Sequence, residues 1–228
     1  MRLRVATYNI HQCIGRDGVE NFSRVAAVLA EINADIVALQ EVTSHQGTAA
    51  DMLAYLATAA QMQPVPGFTL QSAKGSYGNA VLSRLPLVAV NRFDISIPGR
   101  EPRGVIEALL QCDKQQIMVW ATHLGHGVRE RHRQVQRLLQ IVDAADVGVG
   151  LLLGDLNEWL AWSRCLRALC GRFTATPSPA TFPAWRPLLK LDRIWIRSPI
   201  CRTVVRAHAT RLSRAASDHL PLVADIVF

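Results

Sequence analysis

Wherever the apolar runs of this chain stop, a residue able to hold a metal or move a proton stands at the end. Val5-Ala6-Thr7-Tyr8 ends in Asn9, Ile36 to Gln40 ends in Glu41, and Met118 to Thr122 ends in His123. Leu151-Leu152-Leu153-Gly154 ends in Asp155, with Asn157 two residues on. Asp192 falls inside Leu191-Asp192-Arg193-Ile194-Trp195, and Ser217-Asp218-His219 precedes the last apolar run. Charged groups against buried strands are costly unless they are paired or bind a metal. Asn9 and Glu41 offer hard oxygen ligands suited to magnesium, which takes one or two carboxylates together with substrate phosphate. A carboxylate such as Asp155 can orient or deprotonate a water, and a histidine held by a second carboxylate can meet phosphoryl oxygens as a cation or acid. Two such histidines are in view: His219 with Asp192, and His123 with a partner still to be identified, Glu107 being one candidate.

These residues need elements to bring them together. Strands are expected at 3–8, 36–39, 78–83, 87–94, 104–111, 116–122, 150–153, 191–196, 203–207 and 220–227, several rich in Val and Ile. Helical spacing of apolar residues predicts helices over 22–33, 48–61, 129–144 and 159–169. So many strands against few helices exceed what a single doubly wound sheet holds, whereas two sheets packed face to face with helices outside bury both faces of each. No long linker, low-complexity stretch or repeat marks a boundary, so residues 1–228 are expected to form one catalytic domain.

Composition narrows the classes further. Half of the 228 residues are hydrophobic and 19% are charged, which excludes a disordered, fibrous or coiled-coil chain. The formal charge of +7 sits in the second part, where residues 129–228 hold 15 basic against 8 acidic side chains. A phosphate-bearing partner suits that excess. The N-terminus has no apolar core and cleavage site, and the uncharged stretch 52–73 is broken by Gln61, Gln63, Pro64, Pro66 and Gly67, so neither export nor a membrane span is expected. The five scattered cysteines, without a Cys-x-x-Cys, read as buried thiols of a cytoplasmic protein. A phosphate-binding loop, a Gly-x-Ser-x-Gly elbow and a His-Glu-x-x-His helix are all missing from the sequence, which disfavours those hydrolytic chemistries.

Seven short motifs then occur in a telling order: Thr7-Tyr8-Asn9-Ile10, Leu39-Gln40-Glu41, Gly78-Asn79-Ala80-Val81-Leu82-Ser83, Thr122-His123-Leu124, Gly154-Asp155-Leu156-Asn157, Leu191-Asp192-Arg193-Ile194 and Ser217-Asp218-His219-Leu220-Pro221. In this order and over residues 7–221 the chain resembles the endonuclease/exonuclease/phosphatase superfamily, whose members include AP endonucleases, deoxyribonuclease-like nucleases, neutral sphingomyelinases and inositol-polyphosphate phosphatases. The resemblance implies an α/β fold, a four-layer α/β/β/α sandwich of two packed mixed β-sheets with helices outside. It implies Asn9 and Glu41 as magnesium ligands, with Asp218 as a helper and manganese as a substitute ion. Asp155 would activate or align water and Asn157 would steady the phosphoryl group. His123, and His219 oriented by Asp192, would bind the phosphate and stabilise its charge in the transition state, while Asn79 and Arg103 would contact substrate. The reaction so implied is in-line attack of water on a phosphoester, without a covalent enzyme intermediate.

Three functions remain open at this point. The first is a magnesium-dependent phosphodiesterase or phosphatase acting, as a monomer, on a small or lipid-like phosphoester. The second is a DNA or RNA nuclease on the same machinery, and the third a catalytically silent binding module. Specificity belongs to the loops 12–21, 61–75, 98–103, 126–131 and 174–189. Thr181 to Pro187 reads either as an apolar rim for an amphiphile or as a packed connection. Arg129, Arg133 and Arg137 share one helix face and read as solvated. Trp159, Trp162, Trp185 and Trp195 lack the interleaved basic residues of a stacking platform and are expected in the core or a pocket wall. Asp155 and Asn157 also suit an Asx-turn that caps a helix starting near Trp159.

Overall fold

A computed structural model describes residues 2–44, 51–72, 75–198 and 202–228. The chain runs β1 (Arg2–Asn9), a 3-10 turn (His11–Cys13), α1 (Phe22–Ile32), β2 (Ile36–Ser44), α2 (Met52–Ala60), β3 (Gln63–Ser72), β4 (Gly75–Ser83), β5 (Leu87–Asp94), β6 (Gly104–Cys112), β7 (Gln115–His123) and α3 (Val128–Ala144). It continues through β8 (Gly150–Asp155), α4 (Arg164–Cys170), β9 (Asp192–Arg197), β10 (Arg202–Ala207), α5 (Arg211–Ala216) and β11 (Leu222–Val227). One sheet has the order β10-β11-β1-β2-β4-β3 and the other β5-β6-β7-β8-β9.

Alternation along the strands decides the layers. On β1, Leu3 and Val5 face the other sheet while Ala6 and Tyr8 face α1 and α2. Val119, Ala121, Leu151 and Leu153 close the inter-sheet core from the second sheet, whose outer residues Trp120 and Leu152 pack under α3 and α4 with Leu138 and Leu166. Both faces of each sheet are therefore covered, which gives the four-layer α/β/β/α sandwich. α1 starts where the Asn21 side chain accepts from the Arg24 amide and ends where Asn33 turns left-handed at φ 48°, its amide bonding back to Leu29.

Three elements differ from the sequence-based expectation. The stretch 63–72, read as loop because of Pro64, Pro66 and Gly67, is strand β3; it lies at the sheet edge, where a proline removes no needed ladder bond. The fourth helix begins at Arg164, capped by the Ser163 hydroxyl, so Trp159 to Trp162 is loop. α5 went unread because its single turn and a half carries too little apolar periodicity. The start of the helix expected over 48–61 lies partly outside the described residues. Cys13, Cys112 and Cys165 are buried free thiols, but Cys170 is exposed, and Cys201 lies outside the described residues. No helix among the described residues is long and apolar enough to cross a membrane.

The β1, β10 and β11 end of the first sheet is tied by Asp225, which accepts from Arg4 Nε at 2.7 Å and from Arg206. Burial opposes its charge, but the two arginines outweigh it and hold its carboxyl below the ordinary aspartate value. A depressed folded pKa contributes stability above the unfolded value of about 4 and loses it as pH falls below. Asp225→Asn is therefore expected to lower stability at pH 7 by about 1 kcal/mol or less, because the groups are partly exposed. Paired thermal melts should show that difference shrink as pH falls below about 4; a difference that does not shrink there would contradict the ion-pair account.

Candidate active site

Strand direction gathers the chemistry at one edge. β1 and β2 are parallel, with Asn9 beside Gln40, and β7 and β8 are parallel, with His123 beside Asp155. β1, β7 and β8 deliver their last residues, and β2, which runs on to Ser44 past the expected end at residue 39, delivers Glu41 from its interior. β6, β9 and β11 run antiparallel to their neighbours and deliver what lies at their starts: Arg103 before β6, Asp192 opposite Asp155, and His219 before β11.

Asn9 Nδ2 donates to Glu41 Oε1 at 3.0 Å and to Asp155 Oδ2 at 3.3 Å, and its Oδ1 accepts from the His11 amide. Glu41 is half-buried and has φ 57°, a left-handed conformation that a non-glycine residue adopts at some cost. It occupies a bulge where the pairing of β2 with β4 slips between Leu39 and Val42, which sets Asn79 of β4 opposite Gln40 and Glu41. Asn79 is buried there. Glu41 and Asp155 thus converge on one neutral amide, and among the described residues no Lys or Arg forms an ion pair with either. Two carboxylates drawn together on one amide, with His219 beside Asp155 but no cation beside Glu41, fit a hard divalent ion on the Glu41 side.

Asp155 is 1% exposed and occupies the centre of the cluster. Its Oδ1 accepts from the Asn157 amide at 2.8 Å, the Asx-turn, while Oδ2 lies 3.6 Å from His123 Nε2 and 3.7 Å from His219 Nε2. Asn157, left-handed at φ 50°, sends Nδ2 to the Leu124 carbonyl at 2.8 Å and sits 3.1 Å from His123 Nε2. Gly154 makes this approach possible. A Cβ there would stand 1.9 Å from the Thr122 carbonyl oxygen, at φ +153°, between the two strands that carry His123 and Asp155. Gly154→Ala is expected to destabilise by about 1–3 kcal/mol, the overpacking range, in a denaturant titration. An unchanged midpoint would show that the close approach is not required.

The two histidines differ in charge. Burial works against a charge on His219, yet Asp192, through its charge and a 3.0 Å bond to Nδ1, followed by Asp155 and Asp218, outweighs it and pushes the pKa up to about 10. His219 is therefore an imidazolium at neutral pH. Burial pushes His123 down to about 3; Asp155 opposes this, and Arg103 and His219 add to it. His123 stands between two donors, Arg103 Nη1 at 2.9 Å from Nδ1 and Asn157 Nδ2 at 3.1 Å from Nε2, and the neutral ring can accept from only one of them.

Glu107 is not the partner of His123. Its carboxylate accepts from Trp120 Nε1 at 2.8 Å and from Asn91 Nδ2 at 3.0 Å, pointing into the helix-covered side of the sheet. Arg103, expected at substrate, is 4% exposed, with Nη1 on His123 and Nη2 3.3 Å from Glu101. Asp218 contacts Ser217 Oγ and lies 4.0 Å from His11 Nδ1, on the His11 side of Asn9. Asp155, Asp192 and His219 could together hold an ion. The donation from Thr181 to Asp192 Oδ2 and the His219–Asp192 bond also link Thr181, Asp192 and His219 in a hydrogen-bonded relay.

Several supporting residues escaped the sequence reading. Thr181 is fully buried, and the Phe182 ring lies 4.8 Å from that of His219, so the start of the 181–187 stretch is a packed brace. Ser217 Oγ donates to the Asn9 carbonyl at 2.7 Å and accepts from the His219 amide at 3.2 Å. Behind His123, the buried Arg131 pairs with Glu158 and donates to the carbonyls of Gly125 and His126, while Gln134 accepts from the Gly125 amide. A hydroxyl or amide in a loop carries no sequence signal of such use unless the fold is known.

A profile described as the Endonuclease/Exonuclease/phosphatase family matches residues 6–219. The uncharacterized protein YbhP of Escherichia coli K12 is 32% identical, over 98% of this chain and 95% of its own length. Among solved structures, an endonuclease/exonuclease/phosphatase from Beutenbergia cavernae superposes with a TM-score of 0.79 at 25% identity, covering 99% of this chain and 71% of that one. A mannosyl-6-phosphatase from Bacteroides thetaiotaomicron superposes with a TM-score of 0.80 at 17% identity, covering 99% and 100% of the two chains.

Proposed function

The chain belongs to the endonuclease/exonuclease/phosphatase family, and from that premise we propose that it hydrolyses a phosphoester by in-line attack of water, with magnesium held by Asn9 and Glu41. One observation carries the reading: Glu41 and Asp155 converge on the amide of Asn9, and the imidazolium of His219 lies beside the Asp155 carboxylate, at one sheet edge. A magnesium ion, when bound, supplies a Lewis acid that draws charge off the phosphoryl oxygens and neutralises Glu41. Manganese, with the same preference for oxygen ligands, is the substitute.

The protein's own groups account for the rest. Asp155 accepts a proton from the attacking water or aligns it, and its Oδ1 is fixed by the Asn157 amide so that Oδ2 faces inward. His219, kept cationic by Asp192, donates to a phosphoryl oxygen and meets the charge that develops there. His123, neutral and held by Arg103 at Nδ1 and the Asn157 amide at Nε2, is assigned with Asn157 to contact with the same phosphoryl group. Arg103 acts through His123 and Asp192 through His219, so both are positioning residues. Asn79, opposite Glu41, is assigned to substrate contact, and Asp218 to outer support of the cationic side.

The mannosyl-6-phosphatase shares the fold, so a monoester is within the scaffold's reach alongside diesters. The preferred substrate is a small or lipid-like phosphoester. The test is a panel of phospholipid, inositol phosphate, sugar phosphate, single-stranded DNA, abasic DNA and RNA, run over a magnesium titration. Turnover of the first three classes is expected, and Glu41→Gln should raise the magnesium needed for half-maximal rate by about tenfold or more, as losing a ligand carboxylate does. Cleavage of nucleic acid alone would overturn the preference, and an unchanged magnesium requirement would remove Glu41 from the metal.

A further inference from the structure

The five tryptophans divide sharply. Trp120 and Trp195 are buried, whereas Trp159, Trp162 and Trp185 are 55%, 73% and 55% exposed. None of the latter three is in the core, although Trp162 lines a pocket wall as expected. Each stands on a loop leaving the catalytic edge. Trp159 and Trp162 follow Asn157 between β8 and α4, and Trp185 lies beside Ala184, whose amide donates to the Asp218 carbonyl at 2.6 Å. Val128, first residue of α3, and Leu188, three residues after Trp185, are also exposed, at 65% and 66%. Exposed apolar groups of this size, borne on loops that leave one site, mark an interaction surface.

The charges interleaved with them select the partner. A cavity of about 510 Å³ is lined by Val128, Leu160 and Trp162 together with Arg129, His132, Arg133 and Arg164. Glu158 is its only acid, and that carboxylate is buried against Arg131. On a separate loop the Arg16 guanidinium lies 5.8 Å from the centre of the Trp185 ring. Indoles settle at the boundary between headgroups and acyl chains, and arginines beside them attract anionic lipid. Nucleic acid would use the arginines and the indole faces but has nothing to offer Val128, Leu160 and Leu188.

We propose that this tryptophan and arginine rim is a docking surface for a bilayer containing anionic phospholipid. Seated there, the protein turns its catalytic edge toward the headgroups. Docking stands on the rim alone, and only its use for turnover rests on the phosphoesterase reading above.

The test is co-sedimentation of the full chain with phosphatidylcholine vesicles, with and without roughly three parts in ten phosphatidylglycerol. Binding is expected to the anionic vesicles, to fall with added salt, and to weaken about tenfold or more in Trp159→Ala/Trp162→Ala and in Arg129→Gln/Arg133→Gln. Hydrolysis of the soluble diester bis-p-nitrophenyl phosphate should be unchanged in both variants, which also shows that they fold. Equal binding by wild type and variants, or none by wild type, overturns the proposal. So does binding of single-stranded DNA, but not vesicles, that the same substitutions abolish. Vesicle binding that survives in a protein that hydrolyses neither this diester nor any phosphoester of the panel would overturn the catalytic reading and leave the docking surface standing.

Discussion

Asp155→Asn is expected to lower kcat for phosphoester hydrolysis by roughly 10²–10⁴-fold, the span that removal of a general base covers, while leaving the protein folded. The amide keeps the shape of the carboxylate and can still accept from the Asn157 amide, so the Asx-turn persists. What disappears is the negative Oδ2 that faces Asn9, His123 and His219 at 3.3, 3.6 and 3.7 Å. Substrate binding, which the arrangement assigns to other groups, should change far less, so the loss falls on kcat and not on KM. Steady-state kinetics with a folded-state check by circular dichroism reads both. A variant with kcat within about threefold of wild type would remove Asp155 from the chemistry.

His219→Ala should produce two separable losses. The imidazolium is one charged donor at a developing phosphoryl charge, and deleting such a donor costs roughly 10²–10³-fold in kcat. The second loss is structural. Asp192 is fully buried, its Oδ1 has no hydrogen-bond partner, and its Oδ2 would retain only Thr181. A buried carboxylate stripped of its cation costs about 3–5 kcal/mol. Adding Asp192→Asn to His219→Ala removes that charge and should restore much of the stability without restoring any activity. Denaturant titrations and rates on wild type, the two single variants and the double variant complete the cycle. Recovery of activity in the double variant, or a His219→Ala protein as stable as wild type, would contradict the relay.

The parts of this site that can be seen in the amino-acid sequence are those that end apolar runs. Asn9, Glu41, His123 and Asp155 each follow an apolar run, and parallel pairing of β1 with β2 and of β7 with β8 turns that one-dimensional regularity into a shared edge. Ten of the eleven strands carry a legible pattern for the same reason. β3 does not, since an edge strand tolerates Pro64 and Pro66, the residues that otherwise argue for a loop. Thr181, Phe182 and Ser217 were not legible because their value lies in what the fold sets beside them, a buried carboxylate, a ring and a backbone carbonyl. Charge type alone also misled: Glu107 satisfies an indole N–H, and the group that orients His123 is the cation of Arg103. The tryptophans show the limit most plainly. Their burial depends on where the α4 helix begins, and its start at Arg164 leaves Trp159 and Trp162 in solvent.

The measurement that bears most directly on the whole account is hydrolysis of bis-p-nitrophenyl phosphate by the purified chain, followed by release of p-nitrophenol. With magnesium present the rate should exceed background, EDTA should abolish it, and excess magnesium should restore it. A rate that EDTA leaves unchanged would contradict the assignment of Asn9 and Glu41 to a catalytic metal, and no hydrolysis of this diester or of any phosphoester in the panel would contradict the enzyme.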